Sequence, residues 1–198
     1  MAPRRKRKEE DVVFFDDIDE LSKENTSKKG KEVFCIFGDI CRDMSDEIII
    51  PLIQCIKQKT PAEIYLSSPG GDPMPALMLV DIIDRAESNV DIFLMGEVCS
   101  SGFLISLAGY NNEHVHKYAY PSSRVMWHSG SICFEECEIP YPMLRQHIDY
   151  HDKNWDRMCE YILSHSKMTK EHLEECAVID KWMFPDEMLE LGIVDEIL

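Results

Sequence analysis

Apolar residues come along this chain in two alternating rhythms. Short runs at 33–37, 64–67, 91–95 and 124–127 are too brief for helices and are bounded by polar or turn residues, so they predict buried strands. Between them, 45–59, 74–84 and 103–108 read as helical segments. Strand and helix alternating at this spacing predicts an α/β domain of repeated βα units, with parallel neighbours joined by right-handed crossovers. A longer helical stretch follows at 141–166, with apolar residues at Met143, Ile148, Trp155, Met158 and Ile162.

Two strand-to-helix junctions carry candidate chemistry. At the first, Ile64 to Asp72 ends a strand in Ser68-Pro69-Gly70-Gly71, a turn able to present backbone N–H groups outward. At the second, Gly96-Glu97-Val98-Cys99-Ser100-Ser101-Gly102 sets small hydroxyls where a strand hands over to a helix. Amides of a first helical turn have no partner inside the helix, so they suit a developing oxyanion. A helix N-cap serine explains the second junction equally well when it is taken alone. If neighbouring strands bring the turns together, the Gly71 N–H and the N–H after the nucleophile form a two-donor oxyanion hole. Acyl transfer by serine also needs a base and a group that orients it. His128 closes the strand-like run Ser123-Arg124-Val125-Met126-Trp127. Asp180 stands between Val178-Ile179 and Trp182-Met183, an apolar context in which its charge is expected to seek a partner.

These four motifs, with Leu191-Gly192-Ile193-Val194-Asp195 after the last, resemble in order and spacing the Clp protease proteolytic subunit, a ClpP-type serine peptidase. The resemblance runs from about Val33 to Leu198. It implies a ClpP/crotonase-like fold whose long helix projects as a handle. It also implies Ser100 as nucleophile, His128 as general base and then acid, Asp180 as the residue orienting His128, and Gly71 and Ser101 as backbone oxyanion donors. Cys99 falls where the family has a small residue and is read as packing. The resemblance further implies a homo-oligomer of stacked heptameric rings, acting on short peptides or unfolded protein, with a Clp-type AAA+ ATPase as partner. Three positions depart from the family pattern. Ser101 replaces the usual methionine, Ser129-Gly130 replaces Gln-Pro, and the loop 110–117 is slightly longer and is taken as surface decoration. At the aromatic pocket that receives a hydrophobic ATPase loop, Glu63 and Arg85 stand in for aromatic residues, while Tyr65 and Leu198 are kept. Charge there raises the desolvation cost of docking. Two readings from other classes remain open on the residues: a non-catalytic ring subunit, and a crotonase-like acyl-CoA enzyme that stabilises its oxyanion with paired amides alone.

Composition narrows the rest. At 198 residues and 44% hydrophobic content the chain can bury one full core. A net charge of -16 argues against nucleic-acid binding, which needs a cationic surface. The basic run Met1–Lys8 is followed at once by acids, without the apolar core of a secretory signal, so 1–32 is expected to be a mobile polar leader and 33–198 the peptidase domain. The 8 cysteines show no C-x-x-C spacing and are expected to be reduced, buried thiols of a cytoplasmic protein. His147 and His151 sit at i, i+4, but no third ligand follows at a fitting spacing, so neither a metal nor a cofactor is expected. No membrane role is expected either.

Overall fold

All four apolar runs become strands of a 7-stranded sheet, and three strands that the pattern did not announce complete it. A computed structural model of the chain describes residues 30–130 and 139–198. The expected leader therefore lies outside the described residues up to residue 29. From Lys31 to Leu198 the chain is one compact unit.

Strand β1 (Glu32–Phe37) leads through a π-helical turn at Ser45–Ile49 into α1 (Ile50–Lys57). Next come β2 (Ala62–Ser68), α2 (Pro73–Ile83) and β3 (Val90–Cys99). Helix α3 (Ser101–Ser106) follows, then β4 (Val115–Ala119) and β5 (Arg124–Trp127). The C-terminal part holds α4 (Tyr141–Ser164), α5 (Lys170–Cys176), β6 (Lys181–Met183), α6 (Pro185–Glu190) and β7 (Glu196–Ile197). The path β1-β2-β3-β4-β7 is parallel throughout, and β6 alone runs antiparallel, against β5. Parallel pairing needs a crossover between neighbours, which is why helices separate the first three strands.

The loop expected at 110–117 is a correction: Val115–Ala119 is an interior strand, paired with β3 on one side and β7 on the other. Its buried positions are Val115, Lys117 and Ala119. A lysine among them hid the apolar period. Lys117 is 1% exposed, its stem lies among the core residues and its Nζ sits 5.2 Å from the Tyr110 ring.

Strand β3 matters most for the site. Its first half, Val90 to Leu94, pairs with β4, and its last three residues, Glu97 to Cys99, pair with β5. The switch comes at a bulge, where the register with β2 jumps from Leu66↔Leu94 to Ser68↔Val98. Gly96 takes the positive φ of 56° that this bulge requires. Because β4 pairs with β3 only as far as Leu94↔Ala119, the same edge of β3 is open to β5 beside Glu97 to Cys99, and β5 ends one residue before His128.

Helix α4 is expected from the sequence and is present, but its stripe divides. Trp155, Met158 and Ile162 pack on the core, whereas Met143 and Ile148 on the first turns are exposed. The thiols also divide: Cys55, Cys99 and Cys176 are buried as expected, while Cys35 and Cys41 are exposed. Cys35 faces outward because alternation along β1 buries Phe34 and Ile36 instead.

Candidate active site

Ser100 is a backbone outlier at the junction of β3 and α3. It has φ 52° and ψ -119°, one of two non-glycine residues with positive φ among the described residues. Such a conformation costs roughly 1–3 kcal/mol and persists where surrounding structure over-determines it. Here the constraints are identifiable. The Ser100 N–H donates to the Met126 carbonyl at 2.9 Å, tying the junction to β5. Its own carbonyl accepts from Leu104 N–H at 3.4 Å, which starts α3, and every residue of α3 is buried. The turn thus forces a small hydroxyl out of the sheet between a strand that cannot shift and a helix sunk in the core.

The Pro-Gly-Gly turn packs directly against it, as the parallel β2–β3 pair dictates. A Cβ on Gly70 would stand 2.6 Å from Ser100 Cβ. One on Gly71 would stand 2.2 Å from the Ile40 carbonyl oxygen. Only glycine fits either position, and both have positive φ. Ile40 holds the turn in place: its N–H donates to Gly70 O at 2.8 Å and its carbonyl accepts from Asp72 N–H at 2.8 Å. This bridge uses the groups on either side of Gly71 and leaves the Gly71 N–H out of the ladder. Ser68 Oγ accepts from Gly70 N–H at 3.0 Å and fixes the turn from within.

His128 follows β5, and its Nδ1 lies 3.6 Å from Asp180 Oδ1, within ion-pair range but longer than a hydrogen bond. The antiparallel β5–β6 pair delivers both residues, with Trp127 opposite Lys181. The sequence argument for Asp180 needs correction here. Val178 and Ile179 are 83% and 62% exposed, and the Asp180 side chain is 63% exposed, so burial does not drive its pairing. Strand register places it instead.

Ser100, His128, Gly71 and Ser101 all line one cleft of about 1010 Å³. Its far wall comes from α4, through Trp155 and Met158. Trp155 stacks on Trp127 with ring centroids 5.7 Å apart, and Trp127 leans on Phe103 at the same separation. Ile40 and this aromatic stack carry no signal for the site in the sequence, because each acts through a residue distant along the chain. Cys99, beside Ser100, is buried, and burial pushes its thiol up to about 11. At neutral pH it is on the order of one part in ten thousand thiolate, so Cys99 is a buried, unreactive thiol.

Glu63 and Arg85 do not pair with each other. Glu63 binds Lys31 at 2.9 Å, Lys31 also reaches Asp91 at 3.2 Å, and Arg85 binds Asp81 at 3.3 Å. Beside Glu63, Tyr65 stacks on Phe93 and Phe93 on Tyr118, with centroids 4.8 and 5.0 Å apart. His151 lines the cleft, and among the described residues no group of three His, Cys, Asp or Glu side chains is arranged to hold a metal ion. No helix of the described residues is long and apolar enough to cross a membrane.

The Clp protease family model matches residues 21–198. Among curated proteins, the ATP-dependent Clp protease proteolytic subunit 2 of Rhodococcus jostii (strain RHA1) is 27% identical over 135 residues, which are 68% of this chain and 66% of that protein. The chain thus matches a little under two thirds of that relative's length. The parallel βα sheet, flanked by helices, is the ClpP/crotonase-like architecture, and the match extends over the strands, the bulge and both glycine turns. The chain belongs to the Clp protease family.

Proposed function

We propose that this chain is a serine endopeptidase, the proteolytic subunit of a Clp-like chambered protease, cleaving short peptides or unfolded chains through an acyl-enzyme. One observation carries the reading: the strained Ser100 is pressed against the Pro-Gly-Gly turn, in a cleft shared with His128, which lies 3.6 Å from Asp180. Ser100 Oγ attacks the peptide carbonyl while His128 takes its proton, and the carbonyl electrons move onto oxygen. The amides of Gly71 and Ser101 receive that oxyanion. His128 returns the proton to the leaving amine. Water then attacks the ester with His128 again as base, and His128 gives that proton to Ser100 Oγ as the ester bond breaks and the acid product leaves. Asp180 holds the His128 ring in the required orientation and offsets the charge that develops on it.

The assembly and domain expectations belong to the same proposal. The exposed Met143 and Ile148 on α4 suit a handle that pairs with another subunit, and stacked heptameric rings are the expected form. Residues 1–32 would be a leader to the peptidase domain 33–198. Docking of an AAA+ ATPase is expected to be weakened, because an apolar loop settling on the Tyr65–Phe93–Tyr118 ladder would have to desolvate the neighbouring Lys31–Glu63–Asp91 cluster. The free thiols among the described residues accord with a cytoplasmic location.

The deciding experiment compares wild type with Ser100→Ala on a fluorogenic peptide, alongside labelling by a fluorophosphonate, after assembly size has been checked. Wild type should cleave and label at Ser100, and the variant should lose at least about a thousandfold in kcat/KM. An assembled wild type that neither cleaves nor labels would favour a non-catalytic ring subunit. It would equally favour the crotonase-like acyl-CoA reading, which needs the paired amides and not Ser100.

A further inference from the structure

Two residues lining the cleft, Ser101 and Trp127, carry a buried polar side-chain atom without a hydrogen-bond partner, and of the two only Ser101 adjoins Ser100 along the chain. Ser101 is 2% exposed, and its Oγ has no hydrogen-bond partner. It is the exception among the buried serines described. Ser106, Ser123, Ser166 and Ser88 each donate to a carbonyl at 2.7 to 3.1 Å, and Ser68 accepts from Gly70 N–H. Ser106 bonds back to the preceding turn of its helix, but Ser101 opens α3, and the residues before it belong to β3. Local structure therefore offers it no acceptor of that kind. Native interiors rarely leave a buried hydroxyl unpaired without a reason.

The surroundings point to a reason. Ser101 lines the cleft together with Ser100, and the apolar side chains that line the same cleft include Leu104, Met126, Trp155 and Met158. In an acyl-enzyme at Ser100 the residue whose carbonyl is attacked is the one bonded to the serine, so its side chain is the one that starts closest to Ser101. An apolar sleeve with one hydroxyl that both donates and accepts suits an aliphatic stem ending in a neutral amide. A carboxylate fits poorly: Arg42, the arginine lining the cleft, already binds Asp72 at 3.2 Å, and the chain carries a net charge of -16.

Resting on the peptidase reading above, we infer that Ser101 Oγ determines specificity, by hydrogen-bonding the neutral polar tip of the residue before the scissile bond, with glutamine as the fitting side chain. This is a role for the Ser101 side chain, separate from that of its backbone amide. The test uses the assembled full-length protein and two fluorogenic peptides differing only in that residue, glutamine or the apolar, similarly sized norleucine. Wild type should prefer glutamine. Ser101→Ala should lower the glutamine-to-norleucine ratio of kcat/KM about tenfold, and Ser101→Thr, which keeps the hydroxyl, should restore most of it. Because both peptides share any change at the oxyanion amide, the ratio isolates the side chain. An unchanged ratio in Ser101→Ala would overturn this inference and leave the peptidase reading intact. So would a wild-type preference for norleucine, which needs no variant to fold. Failure of wild type to cleave either peptide or to take the fluorophosphonate would remove the peptidase reading, and this inference with it.

Discussion

Replacing Gly70 by alanine separates the geometry of the nucleophile from the stability of the fold. The added methyl would stand 2.6 Å from Ser100 Cβ and 2.9 Å from the Cys99 carbonyl oxygen, where ordinary contact begins at 3.4 Å. Roughly 0.8 Å must be conceded by backbone on one side or the other, since neither neighbouring atom is the free end of a flexible side chain. Gly70 also has φ 106°, which alanine adopts at a cost of about 1–3 kcal/mol. That term should lower the melting temperature by on the order of 5 °C at fixed protein concentration. A displacement near 1 Å at a reacting atom costs about a hundredfold in rate, or about 2.7 kcal/mol of activation free energy. Peptide cleavage, fluorophosphonate labelling rate and thermal melts of Gly70→Ala would be read beside Gly38→Ala. Gly38 has φ 85° and open space around its missing Cβ, so its variant carries backbone strain without the clash. Gly38→Ala should melt lower and keep its rate per folded active site. If Gly70→Ala stays folded and labels within threefold of wild type, the turn does not constrain the nucleophile.

Lys117 and Asp180 offer two further tests. Burial pushes the Lys117 amine down from its ordinary value of 10.5 to about 8, so between those values the folded chain holds fewer protons than the unfolded one and stability rises with pH. The penalty is complete below pH 8 and amounts to about 3 kcal/mol; urea titrations of Lys117→Met should show a shallower rise between pH 8 and 10 than wild type, and identical slopes would refute it. Asp180→Asn should lower kcat/KM on a peptide by roughly a thousandfold while changing the melting temperature by less than about 3 °C, since the side chain it replaces is 63% exposed; a rate within threefold of wild type would mean that the 3.6 Å contact with His128 does not orient the base.

The exposed Asp180 also shows how a sound residue choice can rest on a wrong local argument. Its neighbours Val178 and Ile179 are apolar, but α5 ends just before them and leaves both on the surface. Hydrophobicity reports what a side chain would gain by burial, and does not report whether the fold offers it cover. Lys117 is the converse, a charged residue buried on the inner face of a strand that has neighbours on both edges. Its strand went unrecognised because alternation was interrupted by the one residue type expected outside.

The amino-acid sequence by itself determined the α/β class, four of the strands, the long helix, and the two glycine-bearing junctions. These depend on local period and on turn chemistry, which neighbours along the chain decide. It also held Ser100, His128 and Asp180 in an order that resembles one family. Tertiary structure alone decided the rest. β4 leaves the edge of β3 after Leu94 and β5 takes it over from Glu97, and the β5–β6 register sets His128 near Asp180. Ile40 braces the Pro-Gly-Gly turn from a loop some thirty residues earlier, and α4 returns to wall the cleft with Trp155 and Met158. Each is a contact between residues far apart in sequence, fixed by sheet register and close packing, so no local pattern encodes it.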